Sequence, residues 1–147
     1  MSTTPPTSEQ LAALADVILD LAHKLDIRNP KLRDVVPLTG TEVAVIREVH
    51  RNPNLTPSQL AEATGLHRSN ISTAVRTLET GGLVVREHVP GDARSITLAP
   101  TPRAAESVAR INAYWVDRLC ETPAEPLADA VAALDSLKRI AASLGGN

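Results

Sequence analysis

The chain of 147 residues has no phenylalanine, one tyrosine and one tryptophan. A core without rings has to be built from Leu, Val, Ile and Ala, which favours helices that interlock through small side chains. Few rings remain to stack a flat ligand or the bases of a single strand. A single cysteine, Cys120, excludes an internal disulfide framework. The four histidines, His23, His50, His67 and His88, are scattered and lack cysteine partners, so no metal and no cofactor is expected. No apolar run approaches the roughly 18 to 20 residues that cross a membrane, and the first residues lack a charged-then-apolar leader. A cytoplasmic protein with no membrane partner is the expectation. Charge is also in short supply: the net value is -2, so any attraction for a polyanion must come from local arrangement.

What the sequence does have is ordinary globular composition, 43% hydrophobic and 22% charged, which argues against disorder. Its length suits one domain, expected over 1–147. Thr7 with Gln10 makes a capping box for a first helix, expected over 8–27, whose stripe is Leu11, Leu14, Ala15, Ile18, Leu21, Ala22 and Leu25. Asn29-Pro30 breaks it, a short turn follows, and Thr39 with Glu42 caps the next helix, with Val43, Ile46 and Val49 inward. That helix stops near Asn52-Pro53. Thr56-Pro57-Ser58-Gln59 is a third start signal, closed by Gly65. Ile71, Ala74, Val75 and Leu78 then repeat at helical spacing up to Gly81-Gly82. Residues 83–89 and 95–98 read as strands around a turn at 90–94. Thr101-Pro102 opens a long helix with Ala105, Val108, Ile111, Trp115 and Leu119 on one face. A Thr122/Glu125 capping box starts a single last helix carrying Leu127, Val131, Leu134, Leu137, Ile140, Ala141 and Leu144.

A short helix, a tight turn, a second helix and a hairpin form a winged helix-turn-helix, expected over 39–100 in a mainly α chain. If Ile71, Ala74, Val75 and Leu78 face inward, Arg68, Ser69, Asn70, Ser72, Thr73, Arg76 and Thr77 face outward. Asn70 suits paired hydrogen bonds to adenine, the arginines suit guanine or phosphate, and the hydroxyls suit phosphate oxygens or base edges. Arg86 on the first strand joins this set. In the wing, Arg94 sits where a cation reaches a narrow minor groove, with Asp92 two residues away to fix its guanidinium.

The run from Leu60-Ala61 through Gly65-Leu66-His67-Arg68-Ser69-Asn70-Ile71-Ser72, then Leu78-Glu79, Gly82-Leu83-Val84 and Gly91-Asp92-Ala93-Arg94, resembles the MarR (multiple antibiotic resistance regulator) family. The resemblance covers almost the whole chain. It implies a homodimer that binds a pseudo-palindromic double-stranded operator, acts as a repressor and is released by a small, often aromatic, effector. It maps the recognition helix to residues 67 through about 80, the wing arginine to Arg94 and its partnering acid to Asp92. An effector pocket would lie between dimer helices and reading head, with His23, Arg110, Tyr114 and Trp115 as candidates.

Three departures stand out. His67 occupies the place of the usual Asp, Ser or Thr cap. Thr73, Arg76 and Thr77 differ from the charges common in relatives. The reactive cysteine of peroxide-sensing relatives is missing from the first helix, leaving Cys120 as a small packed residue rather than a sensor. Dimerisation helices are expected at 8–27 and 101–145, because their apolar stripes lie outside the reading head and exceed what a monomer leaves in water. No nucleophile elbow, phosphate-cradling loop or acid-base cluster supports an enzyme. A winged helix used for protein contact without DNA is the rival reading, since Glu79 and Glu87 stand beside Arg76 and Arg86.

Overall fold

A computed structural model describes residues 4–25 and 30–144. In chain order these form α1 (Ser8–Lys24), α2 (Pro30–Val35), α3 (Gly40–Arg51), α4 (Pro57–Thr64), α5 (Arg68–Thr80), β1 (Val84–Val89), β2 (Asp92–Pro100), α6 (Pro102–Cys120), α7 (Ala124–Ala132) and α8 (Leu134–Leu144). This is the expected mainly α chain with one antiparallel hairpin.

Local chemistry accounts for most boundaries. Thr7, Thr39 and Thr56 each accept a hydrogen bond from the third backbone N–H of their helix, and Gln10, Glu42 and Gln59 reach back reciprocally. Gly65 closes α4 at φ 68°, a left-handed conformation in which a Cβ carries a steric penalty. At the end of α5 the N–H of Leu83 bonds to Leu78 O and that of Gly82 to Glu79 O, with Gly82 at φ 70°. Those two bonds satisfy carbonyls that the helix leaves open.

The core gathers Val43, Val45, Ile46 and Val49 of α3, Leu60 of α4, Ile71, Ala74, Val75 and Leu78 of α5, Val84 and Leu98 of the hairpin, and Ala104, Val108 and Ile111 of α6. Leu32 and Val36 close it from the side of α2. The connector after α3 also joins the sheet: Asn54 N–H bonds to Leu98 O and Leu98 N–H to Leu55 O, each at 2.9 Å, making a one-residue third strand. Asn54 adopts φ 70° to make that turn.

Several expectations need correction. The first helix ends at Lys24, and the expected remainder to residue 27 lies largely outside the described residues. The Thr122/Glu125 box does not form; α7 begins after Pro123, which makes no side-chain cap, because a start at Thr122 would place Pro126 where the first turn needs a backbone N–H. The single last helix is two, α7 and α8, interrupted at Ala133. In α6 the buried alanine is Ala104 rather than Ala105, and with Val108 and Ile111 it belongs to the reading-head core. Only the distal part of that helix, with Val116 and Leu119 exposed, behaves as an outlying stripe. Cys120 is exposed in this chain, not packed.

Candidate nucleic-acid interface

Helix α5 sorts its residues as its period demands. Ile71, Ala74, Val75 and Leu78 are buried, and Arg68, Ser69, Asn70, Ser72, Thr73, Arg76 and Thr77 are all exposed. At about 100° per residue, the ridge opposite the buried stripe is Ser69, Thr73, Arg76 and Thr80. Arg68, Ser72 and Glu79 form one shoulder of that ridge, and Asn70 and Thr77 the other. The threonine hydroxyls are already engaged as donors: Thr73 Oγ1 bonds to Ser69 O, Thr77 to Thr73 O and Thr80 to Arg76 O. Towards a groove they therefore offer lone pairs, which suits the amino groups of adenine and cytosine.

The N-terminus of α5 is uncapped. His67 has the extended cap geometry but its side chain accepts no hydrogen bond, and neither Ser69 nor Asn70 supplies one. The C-terminus is held firmly, since Arg103 donates to Gly81 O at 2.9 Å and Thr101 Oγ1 to Gly82 O at 2.7 Å, tying α5 to the start of α6.

The wing differs from the expected five-residue turn. The ladder pairs Val89 with Asp92, so the loop is Pro90-Gly91, and Gly91 at φ 84° after a proline is the residue pattern of a type II turn. Because His88 pairs with Ile96, residues 93–95 have no partner opposite and bulge from β2, which is longer than the expected 95–98. Asp92 organises this bulge. Its carboxylate accepts from the Arg94 backbone N–H at 3.0 Å and from Ser95 Oγ at 2.5 Å. The Ser95 hydroxyl and then the Arg94 N–H hold the Asp92 carboxyl below the usual carboxylate range. The expected grip of Asp92 on the Arg94 guanidinium is absent: the acid fixes the backbone, and the guanidinium is left without a partner among the described residues.

Arg86 is committed differently, since its Nε donates to Glu79 Oε2 at 3.0 Å. That pairing answers the charge question. With Glu79 occupied by Arg86 and Asp92 by the bulge, Arg68, Arg76 and Arg94 present guanidinium groups with no carboxylate bound to them among the described residues. His50 and His88 are exposed.

Of the effector candidates, Tyr114 and Trp115 are half-buried against the core, whereas His23 and Arg110 are exposed. Trp115 Nε1–H donates to Leu25 O at 3.2 Å, joining α6 to the end of α1. The sequence reading missed its other partner. Arg47 of α3 lays its guanidinium 4.4 Å from the centre of the Trp115 ring. Burial first, and then Arg51, push the Arg47 pKa down from the usual arginine value, with Glu48 opposing; a guanidinium stays charged nonetheless. A half-buried cation on an aromatic face, with no carboxylate bound to it among the described residues, gives no signal in the periodicity.

Residues 36–95 match the sequence profile described as MarR family. This segment is similar to the MarR family. A Thauera aromatica protein described as a transcriptional regulatory protein for the hcr operon is 39% identical over 67 residues, which are 46% of this chain. The matched part spans 40% of that relative's length. Among solved structures, a MarR family protein of Mycobacterium tuberculosis in complex with p-aminosalicylic acid aligns with TM-score 0.68 at 22% identity, over 85% of this chain and 98% of the other. FabT of Streptococcus pneumoniae, in complex with DNA, aligns with TM-score 0.56 at 20% identity, over 92% and 95%. The fold shared with these structures thus extends beyond the matched head to the flanking helices.

Proposed function

We propose that this chain is a MarR-family, sequence-specific, double-stranded DNA-binding transcriptional regulator. The observation that carries the reading is the outward face of α5, where seven polar residues stand together over a buried apolar stripe, with Arg68, Arg76 and Arg94 free of carboxylates among the described residues. Such a helix suits the major groove, with the Asp92-organised wing delivering Arg94 to the neighbouring minor groove. The DNA seen with FabT and the regulatory role of the Thauera protein support the same reading. Its site of work would be the cytoplasm, where the chromosome is, and among the described residues no helix is long and apolar enough to cross a membrane.

The proposal includes a homodimer. No residue of α1, α7 or α8 is buried, yet these helices carry Leu11, Val17, Leu19, Leu21, Val131, Leu137, Ile140 and Leu144, with Val131 68% and Leu144 80% exposed. A second copy covering these faces removes a patch that water penalises. Two-fold symmetry then sets the recognition helices about 34 Å apart on an inverted repeat. A dimer across a promoter blocks polymerase without any further surface, which favours repression. A small aromatic effector acting near Trp115 and Tyr114, with His23 and Arg110 at the rim, completes the reading; the p-aminosalicylic acid held by the Mycobacterium relative supports that class.

Selection of bound sequences from random duplex DNA, repeated with the gene's own upstream region, tests the reading. Enrichment of an inverted repeat is expected, and Arg94→Ala should weaken its binding about tenfold at physiological salt. If no duplex outcompetes random DNA, or Arg94→Ala changes nothing, the winged helix serves protein contact instead. Light scattering on the purified chain at micromolar concentration checks the dimer, and a monomer there refutes it.

A further inference from the structure

Between the N-terminus of α4, one shoulder of α5 and strand β1 lies a recess of about 250 Å³, lined by Pro57, Ser58, Arg68, Ser72, Val75 and Arg86. Its polar lining is two guanidinium groups and two hydroxyls, with no carboxylate, on an apolar floor of Pro57 and Val75. The donors are uncommitted. The side chains of Ser58, Ser72 and Arg68 have no hydrogen-bond partner among the described residues, unlike those of Thr73, Thr77 and Thr80 elsewhere on α5. Arg86 spends only its Nε on Glu79, which fixes the plane of the guanidinium and leaves both terminal nitrogens for another acceptor.

Glu79 lies outside the lining, and its charge cancels one of the two arginines. A single positive charge remains, equal and opposite to that of one phosphodiester. The location favours the same ligand. The ridge of α5 faces outward through Ser69, Thr73 and Arg76, so a helix seated in a groove about 12 Å wide places its shoulder against the bordering strand. We propose that this recess is the seat of one DNA backbone phosphate in each half-site, with Ser58 and Ser72 donating to its oxygens and Arg68 and Arg86 balancing its charge. Three separate chain elements close on a single phosphate, so its capture sets the depth and rotation of α5 before any base is read. Ser58 enters the interface only through this recess.

The inference rests on the DNA-binding reading, and its test separates the two. A duplex enriched by the full chain is resynthesised with one neutral methylphosphonate linkage at a time, and affinity is measured by fluorescence anisotropy. The native chain is expected to lose about tenfold at one linkage per half-site. Ser58→Ala, a change at an exposed side chain, is expected to weaken the unmodified duplex about fivefold and to become less sensitive to that same linkage, the arginines and Ser72 keeping the remainder. Arg68→Ala should reduce the slope of log affinity against log salt by about one per half-site. Selection without enrichment refutes the DNA reading itself. Enrichment with a flat linkage profile, or with Ser58→Ala still fully sensitive, overturns the phosphate seat alone. A free-anion site would show otherwise: inorganic phosphate would shift the Ser58 and Ser72 amide resonances of the chain without DNA while the linkage profile stayed flat.

Discussion

The Arg47–Trp115 contact can be weighed by a double-mutant cycle of Arg47→Met and Trp115→Leu. A guanidinium 4.4 Å from the ring centre and half-buried falls between exposed pairs at about 0.5 kcal/mol and desolvated ones at about 2 kcal/mol, so a coupling of about 1 kcal/mol is expected. Trp115→Leu alone also loses the Nε1–H bond to Leu25 O, about 1 kcal/mol, and part of the indole packing, for a total of about 2 to 3 kcal/mol. Arg47→Met alone should cost little, because the lost ring contact is offset by removing a charge whose burial is unfavourable. Urea denaturation followed by circular dichroism at fixed protein concentration gives the four stabilities. A coupling indistinguishable from zero refutes the stacking. So would an Arg47→Met cost as large as that of Trp115→Leu, which would mean that the arginine is held by polar partners.

Three further outcomes follow from local geometry. Gly65→Ala should destabilise the chain by about 1 kcal/mol and Gly65→Asn by less; at φ 68° with open space around the new Cβ, the penalty is conformational, and equal costs in thermal unfolding would contradict that. His67→Ser should raise stability by about 1 kcal/mol by supplying the missing cap of α5, and no change in the urea midpoint would mean that the N-terminus is satisfied in another way. The Asp92 carboxyl titrates below its ordinary value of 3.8 in the fold, so its contribution to the wing is present above that value and lost as pH falls through the lower folded pKa. The protection of the Arg94 amide relative to a free amide should therefore persist from neutral pH down to that range and fall below it, whereas Asp92→Ala, which removes the acceptor, should lack it throughout.

The reading head was legible because each boundary is written in short-range chemistry. Three Thr-x-x-Gln/Glu boxes, Gly65 and Gly81-Gly82 bracket the helices, and the apolar spacing of α5 names its buried side without reference to any neighbour. Thr122 failed for an instructive reason. Started from Thr122, the helix would put Pro126 at its fourth position, where an N–H must bond the cap carbonyl; starting one residue later puts it at the third, where none is needed.

What periodicity could not supply was anything that depends on cross-chain distance. Asp92 and Arg94 two residues apart suggested an ion pair; the strand register, which lets 93–95 bulge, decides that the acid instead binds the Arg94 backbone and Ser95. Arg47 and Trp115 are far apart in sequence and meet only because α3 and α6 share the core. Ser58, Arg68 and Arg86 converge in the same way, across three elements.

By itself the sequence determined which faces are apolar, where the helices start and which polar residues point outward, since these follow from backbone geometry within a few residues. Only the tertiary structure decided which cations are neutralised, which hydroxyls are free and which side chains share a recess. Those depend on where separate elements are brought to rest, and a one-dimensional pattern contains no such distance.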